Sequence, residues 1–117
     1  MEINKIQTYL GFCIRARKIV FGAEEAEGTK KGVFLLLMDD VLGNSSKKCM
    51  VKAQQKFGCP LFVLEENLLG ELLHRPSVKA VAIKDEHLAS AICAAAAGVP
   101  QLKLYSGGNN SAYGEEV

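Results

Sequence analysis

Three short apolar runs of the sequence each end at a pair of charged residues: Asp39 and Asp40, Glu65 and Glu66, and Lys84 and Asp85. Carboxylates beside a lysine at the carboxyl ends of strands could hold Mg²⁺ or accept a phosphoryl group. A receiver-type phosphoacceptor domain, however, has a lone acceptor Asp after its middle strand, and it needs more strands. We therefore interpret these residues as solvated strand ends and helix caps, with a small enzyme or a metal-dependent receiver as the remaining alternative.

Other catalytic patterns are missing from the sequence. It contains no nucleophile motif, no glycine fingerprint for phosphates and no HExxH stretch. The segment GNSSKK (43–48) lacks the P-loop spacing, so it is interpreted as a turn, a cap and a lysine-bearing helix. His74 and His87 have no acidic or cysteine partner at a telling spacing. The sequence predicts a protein that is not an enzyme and that uses no cofactor and no metal.

The cysteines and the N-terminus indicate a compartment. Four cysteines lie ten or more residues apart, without a CxxC motif or a His/Cys cluster at metal-ligand spacing, which favours free thiols. The start MEINKIQTYLGF is unlike a signal peptide, and no apolar run approaches the roughly 20 residues needed to cross a bilayer. We expect a cytoplasmic protein with no membrane partner.

Charge is distributed unevenly along the 117 residues. Residues 1–56 hold ten Lys/Arg against six Asp/Glu, whereas residues 57–117 hold four against seven. The basic half is therefore the better candidate for contact with an anionic partner.

The segment GAEEAEGTKK (22–31) lies in this basic half and predicts a short helix that begins after Gly22. Glu24, Glu25 and Glu27 would lie in its first turns and Lys30 and Lys31 in its last, an arrangement that complements the helix dipole. Glu27 and Lys31 would also form an i, i+4 pair. A glycine inside a helix costs about 1 kcal/mol relative to alanine. Gly28 thus indicates either an early helix end or the close approach of a partner.

The periodicity of the chain alternates between strands and helices. The runs VFLLLM (33–38), LFVL (61–64) and VKAVAI (78–83) predict buried strands. Helices are predicted over 4–15, from Asn44 or Ser45 to a stop at Gly58 and Pro60, over 65–74, and from a cap at Asp85 to Gly98. Such alternation indicates a single α/β domain (1–105), with helices on both faces of a largely parallel or mixed sheet. Residues 106–117 are predicted to be a flexible C-terminal tail.

Four stretches in this order carry a family resemblance: YLGFCIRARKIVFG (9–22), VFLLLMDDVLGNSSKK (33–48), QQKFGCPLFVL (54–64) and RPSVKAVAIKDEHLASAI (75–92). The chain resembles the ribosomal protein L-seven-Ae family, with its L-thirty-e and Gadd-type relatives, and most closely the bacterial YlxQ-like members. The resemblance covers residues 3 to about 98. It implies an L-thirty-e-like three-layer α/β/α sandwich with a central mixed sheet of about four strands.

The same resemblance implies binding of kink-turn RNA, a duplex bent at an internal loop with sheared G·A pairs. The family's reading segment maps onto residues 22–28, so that RNA-binding roles are carried over to Gly22, Ala23, Glu24, Glu25 and Gly28. Glu24 stands where the family has Asn, and Gly28 where it has Lys. An ionised Glu24 can only accept hydrogen bonds. Guanine N7 and O6 are also acceptors, so Glu24 would repel them. Glu25, in contrast, could accept from a guanine amino or imino group.

Further RNA contacts are expected outside the reading segment. The second RNA-facing loop of the family corresponds to Arg75, Pro76, Ser77 and Val78, where Val78 could pack against an exposed base. The same four residues also fit an ordinary turn into a strand. Sequence-independent phosphate contacts are expected from Arg15, Arg17, Lys18, Lys30, Lys31, Lys47, Lys48 and Lys52.

Two functions follow from the resemblance and its departures. The first is an RNA-binding protein of ribosomal or translational context, with structured RNA or the ribosome as partner and an altered reading segment. The alternative is a relative that has lost kink-turn recognition and acts through a protein partner or a homodimer.

Overall fold

The computed structural model describes residues 2–105, and the tail predicted for 106–117 lies outside them. The elements alternate between helix and strand from the first to the last. In chain order they are α1 (Glu2–Ala16), β1 (Ile19–Phe21), α2 (Ala23–Gly28), β2 (Leu35–Asp39), α3 (Asn44–Phe57), β3 (Leu61–Leu64), α4 (Leu68–Leu73), β4 (Ala80–Ile83), α5 (Glu86–Ala96) and β5 (Leu102–Leu104).

Two helix ends, the start of α5 and the end of α3, lie at local signals in the sequence. Asp85 caps α5, because its carboxylate accepts a hydrogen bond from the Leu88 amide at 2.8 Å. Gly58 ends α3 with φ 61°, a left-handed conformation that glycine adopts without strain. The predicted cap of α3 is wrong: Gly43 occupies that position and no side chain caps the helix.

The five strands form one mixed sheet in the order β1-β4-β2-β3-β5. β2 and β3 are parallel, and the other three pairings are antiparallel. The predicted number of about four strands is therefore too small, because β1 and β5 complete the sheet at its two edges. Each has only three residues, too few for a recognisable alternation in the sequence.

Helices pack against both sides of the central strands. Leu35 and Leu37 of β2 belong to a cluster of buried residues from α1, α4 and α5, whereas Leu36 and Met38 belong to a second cluster with α2 and α3. Successive strand residues point to opposite faces, so this alternation separates the two clusters. All residues of β2 are buried, which explains why the sequence is apolar without a polar alternation there.

The register defines two ends of the sheet. Gly22 donates its amide to Ala80 O, and the Asp39 amide donates to Lys79 O, so the carboxyl ends of β1 and β2 meet the start of β4. We call this the Gly22 end. Lys84 follows β4 at the opposite end, where its amide donates to Lys18 O. We call that the Lys84 end. Roughly 13 Å of strand, four residues at about 3.3 Å each, separates them.

Candidate functional site

The turn from β1 into α2 is built around Gly22. Its φ of 105° lies in the region that L side chains rarely adopt. The carboxylate of Glu25 also occupies the space in which a Cβ at residue 22 would stand. The backbone at Gly22 and the folded-back side chain of Glu25 therefore form one compact surface at the start of α2.

The loop from α4 to β4 lies at the same end of the sheet. The Arg75 amide donates to Gly70 O at 2.9 Å, and the Val78 amide closes a turn onto Arg75 O at 3.0 Å. The backbone of Pro76 packs so closely on α4 that a Cβ at Gly70 would lie 3.0 Å from its Cα. This loop is therefore held in place by backbone contacts.

Arg75 joins the loop to the β1–α2 turn. Its guanidinium carbon lies 4.9 Å from the centroid of the Phe21 ring, within cation–π range. Phe21 directly precedes Gly22, and Arg75 remains exposed. The structure thus brings the mapped reading segment and the mapped second loop side by side.

The glutamates of α2 have different surroundings. Glu24 and Glu25 are exposed, whereas Glu27 is half-buried. A hydrogen bond to the Glu27 carboxylate is the main reason that the pKa of the Cys49 thiol on α3 is raised, followed by burial and by the charges of Glu27 and then Glu24. Glu27 is therefore directed toward α3.

The predicted charge complement of α2 is wrong at its carboxyl end. The helix ends at Gly28, so Lys30 and Lys31 lie beyond it and the i, i+4 pair with Glu27 has no helical geometry. Lys56 of α3 takes over this role: its ammonium donates to Glu27 O at 2.9 Å and to Thr29 O at 2.6 Å. The early helix end, one of the two alternatives predicted from Gly28, is confirmed, and a Cβ at Gly28 would meet nothing within 4 Å in the described part of the chain.

The predicted phosphate-binding cations divide between the two ends. Lys47 and Lys48 lie in the first two turns of α3, at the Gly22 end, and Lys52 lies in its third turn. Arg15 lies in the last turn of α1, and Arg17 and Lys18 lead from α1 into β1 at the Lys84 end. Lys30 and Lys31 precede β2 at the Lys84 end as well. Residues that are close in sequence to Gly22 are thus separated from it by the length of the sheet.

The interpretation of Asp39 as a solvated strand end is wrong. Asp39 is fully buried, and its two carboxylate oxygens accept from the Val41 and Asn67 amides, each at 2.8 Å. The Lys79 ammonium lies 3.6 Å away and also donates to the Asn67 side chain. Asp39 therefore fixes the loop after β2 to the start of α4. Within residues 2–105, no group of three or more His, Cys, Asp or Glu side chains is placed to hold a metal ion.

Arg75 was placed at the site by resemblance, but its stacking on Phe21 has no signal in the sequence. Gly70 has one: a glycine inside the apolar stretch LLGELL indicates a close approach of backbone.

Comparison with models of protein families gives no match, and neither does comparison with curated proteins. Among solved structures, the chain is similar to a protein of unknown function from Bacillus halodurans, with a TM-score of 0.66 and 22% sequence identity. The similarity covers 78% of this chain and 95% of that one. At this identity it shows a shared α/β fold. In the described part of the chain, no helix has the length and apolar character to cross a membrane.

Proposed function

We propose that this protein binds structured RNA of the kink-turn type in a cytoplasmic, ribosomal or translational context. The finer architecture belongs to the same proposal: the helices on the two faces of the sheet form the L-thirty-e-like three-layer sandwich that the four sequence stretches imply. In this proposal the RNA contacts the Gly22 end of the sheet.

The contact between Arg75 and Phe21 carries the proposal. It sets the two segments that face RNA in the family against each other, although about fifty residues separate them in sequence. A bent duplex with an extruded base could then touch the start of α2 and Val78 of the loop together. Lys47 and Lys48 lie at the same end and can contact phosphates.

Arg75 also compensates in part for the altered reading segment. Glu24 offers no donor to guanine N7 and O6, and Gly28 provides no side chain. The Arg75 guanidinium carries five donors, and it is exposed beside the Phe21 ring, where it could face a guanine. In the proposed complex Glu25 accepts from the guanine amino group while Arg75 supplies the donors.

The test is binding to a kink-turn hairpin across a salt series, with a hairpin whose sheared G·A pairs are replaced by Watson–Crick pairs as the RNA control. We expect the natural protein to prefer the kink-turn by about tenfold or more, and Arg75→Ala to abolish most of that preference, since a good bidentate contact contributes about 1–3 kcal/mol of discrimination. Equal binding of both hairpins, or no binding at low salt, would overturn the proposal.

The double variant Glu24→Asn, Gly28→Lys tests the reading segment directly. Residue 28 has open space for a lysine, so the variant should fold. Its charge-matched control is Glu86→Asn, Ala97→Lys, at exposed positions of α5 and its end. A gain in kink-turn preference by the first variant and not by the second would place residues 24 and 28 at the RNA.

A second candidate function is a relative that has given up kink-turn recognition and acts through a protein partner or a homodimer. The exposed Glu24 favours it, because an ionised carboxylate at this position repels guanine acceptors. It predicts a complex that survives nuclease treatment and high salt. If the natural protein ignores the kink-turn hairpin while the Glu24→Asn, Gly28→Lys variant binds it, this second function is favoured.

A further inference from the structure

A groove at the Lys84 end of the sheet combines lysines with aromatic rings. Its volume is about 450 Å³, and the residues that line it come from the segment before β2 and from the turn between α3 and β3. Those that matter for binding are Lys30, Lys31, Phe34, Lys56, Phe57 and Gly58. The groove lies across the sheet from the Gly22 end, so it is separate from the site described above.

The charged side chains that line this groove are all positive. Lys30, Lys31 and Lys56 are exposed, and none of them forms an ion pair with a carboxylate of the described residues. Lys84 reaches the same end, since its Cε lies 3.8 Å from the position of a Cβ at Gly32. The Lys56 ammonium is already held by Glu27 O and Thr29 O, so Lys30 and Lys31 are the lysines of this groove whose ammonium groups can attract an anionic ligand.

The aromatic rings restrict the kind of anion. Phe34 is 38% exposed although it directly precedes the buried strand β2. Phe57 is half-buried beneath the Lys56 ammonium, which lies 5.1 Å from its ring centroid. An exposed ring next to lysines offers a stacking surface for a base beside contacts for phosphates, the combination that binds single-stranded nucleic acid. A small anion or an acidic peptide would use the lysines and leave the ring of Phe34 in water.

We propose that this groove is a second RNA site, which binds single-stranded RNA without sequence preference through Lys30, Lys31 and the ring of Phe34. The proposal extends the RNA-binding function to another face of the protein. A structured RNA held at the Gly22 end would have a single-stranded flank to lay across the domain into the groove. The identity of the bound strand as RNA rests on the proposed function. The argument that the groove binds a single strand rests only on its lysines and the ring of Phe34.

The experiment measures the affinity of a fluorescein-labelled oligouridine of about ten nucleotides in a salt series. The variants are Lys30→Gln, Lys31→Gln and, separately, Phe34→Ala. Lys103→Gln and Leu104→Ala, exposed residues on β5, are their matched controls. We expect Lys30→Gln, Lys31→Gln to reduce the slope of log K against log salt by about 1.4, two phosphates at about 0.7 each. Phe34→Ala should weaken binding by about tenfold and leave the slope unchanged, because a stacked base contributes about 1–3 kcal/mol.

Each outcome bears on the proposal in its own way. Oligouridine binding that depends on the lysines and on Phe34 supports the second site, even if the kink-turn hairpin fails to bind and the function proposed for the Gly22 end falls. Equal losses in the groove and control variants, or no binding at low salt, overturn it. Loss with the lysine variant but not with Phe34→Ala, together with displacement by polyglutamate, would mean that an acidic partner occupies the groove, and this also overturns it.

Discussion

Gly22 is the residue whose type the fold constrains most visibly. Alanine at this position must adopt a φ of 105° and must displace the Glu25 carboxylate. We expect Gly22→Ala to lower the free energy of unfolding by about 1–2 kcal/mol, since a non-glycine residue in such a conformation is strained. Urea unfolding followed by circular dichroism measures the change.

Gly28→Ala is the matched control within the same helix. Residue 28 has no left-handed φ, and a new Cβ there meets nothing within 4 Å. The variant should unfold at the same or slightly higher urea, with a gain of at most about 1 kcal/mol. If both variants lost stability equally, the conformation of Gly22 would not be the cause.

Asp39 is a second residue with a role that can be measured. Two backbone amides donate to its carboxylate, so an amide side chain at this position would present a donor to one of them. We expect Asp39→Asn to destabilise the protein by about 2–3 kcal/mol, because hydrogen bonds to charged groups are strong and the site is buried. Asp40→Asn, at an exposed neighbour, should change the urea midpoint little. Equal midpoints for the two variants would contradict this.

At the scale of elements, the sequence was sufficient to predict those helices and strands that have a long hydrophobic pattern. The faces of α1, α3 and α5 and the runs of β2, β3 and β4 could be predicted, since each has a period or a run that burial requires. The strands β1 and β5 could not, because three residues form strands only through pairing with β4 and β3. The end of α2 was predicted only as one of two alternatives: Gly28 indicated an early end, but the charges of Lys30 and Lys31 favoured a longer helix.

The position of the α4–β4 loop depends on one close contact between elements. In Gly70→Ala, the new Cβ would lie about 3.0–3.1 Å from backbone atoms of Arg75 and Pro76, so the loop must shift. Helix propensity offsets part of the cost, so the loss of global stability should stay below about 2 kcal/mol. The local effect is larger: we expect the Val78 amide, bonded to Arg75 O, to exchange with solvent faster.

Hydrogen exchange by NMR measures this local effect, with the Leu88 amide at the α5 cap as internal reference. Acceleration at Val78 without acceleration at Leu88 is the expected result. Unchanged exchange at Val78 would mean that the loop is not held by its contact with Gly70.

At the scale of the whole molecule, the path of the chain decides which charges act together. Glu25 and Lys31 are six residues apart in sequence, yet α2 carries the chain from the Gly22 end toward the Lys84 end between them. The candidate site could therefore be predicted only in part. The resemblance gave Gly22, Glu25 and Arg75, whereas the grouping of Lys30 and Lys31 with Phe34 and Lys56 depends on tertiary structure.

The stability of the whole molecule should also depend on alkaline pH through its thiols. Burial is the main reason that the pKa values of Cys13 and Cys59 rise from 9.0 to about 11. Between pH 9 and pH 11 the unfolded chain therefore loses thiol protons that the native state retains, so the free energy of unfolding falls as pH rises. Below pH 9 both states keep these protons and the contribution is constant.

The decisive comparison is with the double variant Cys13→Ala, Cys59→Ala. This variant has a lower starting stability because it loses buried sulfur, but the slope of stability against pH is what matters. We expect a shallower fall of the urea midpoint between pH 9 and pH 11 in the variant than in the natural protein. Parallel curves would mean that the two thiols titrate alike in the folded and unfolded chains, and that their burial does not contribute to the alkaline limit of the fold.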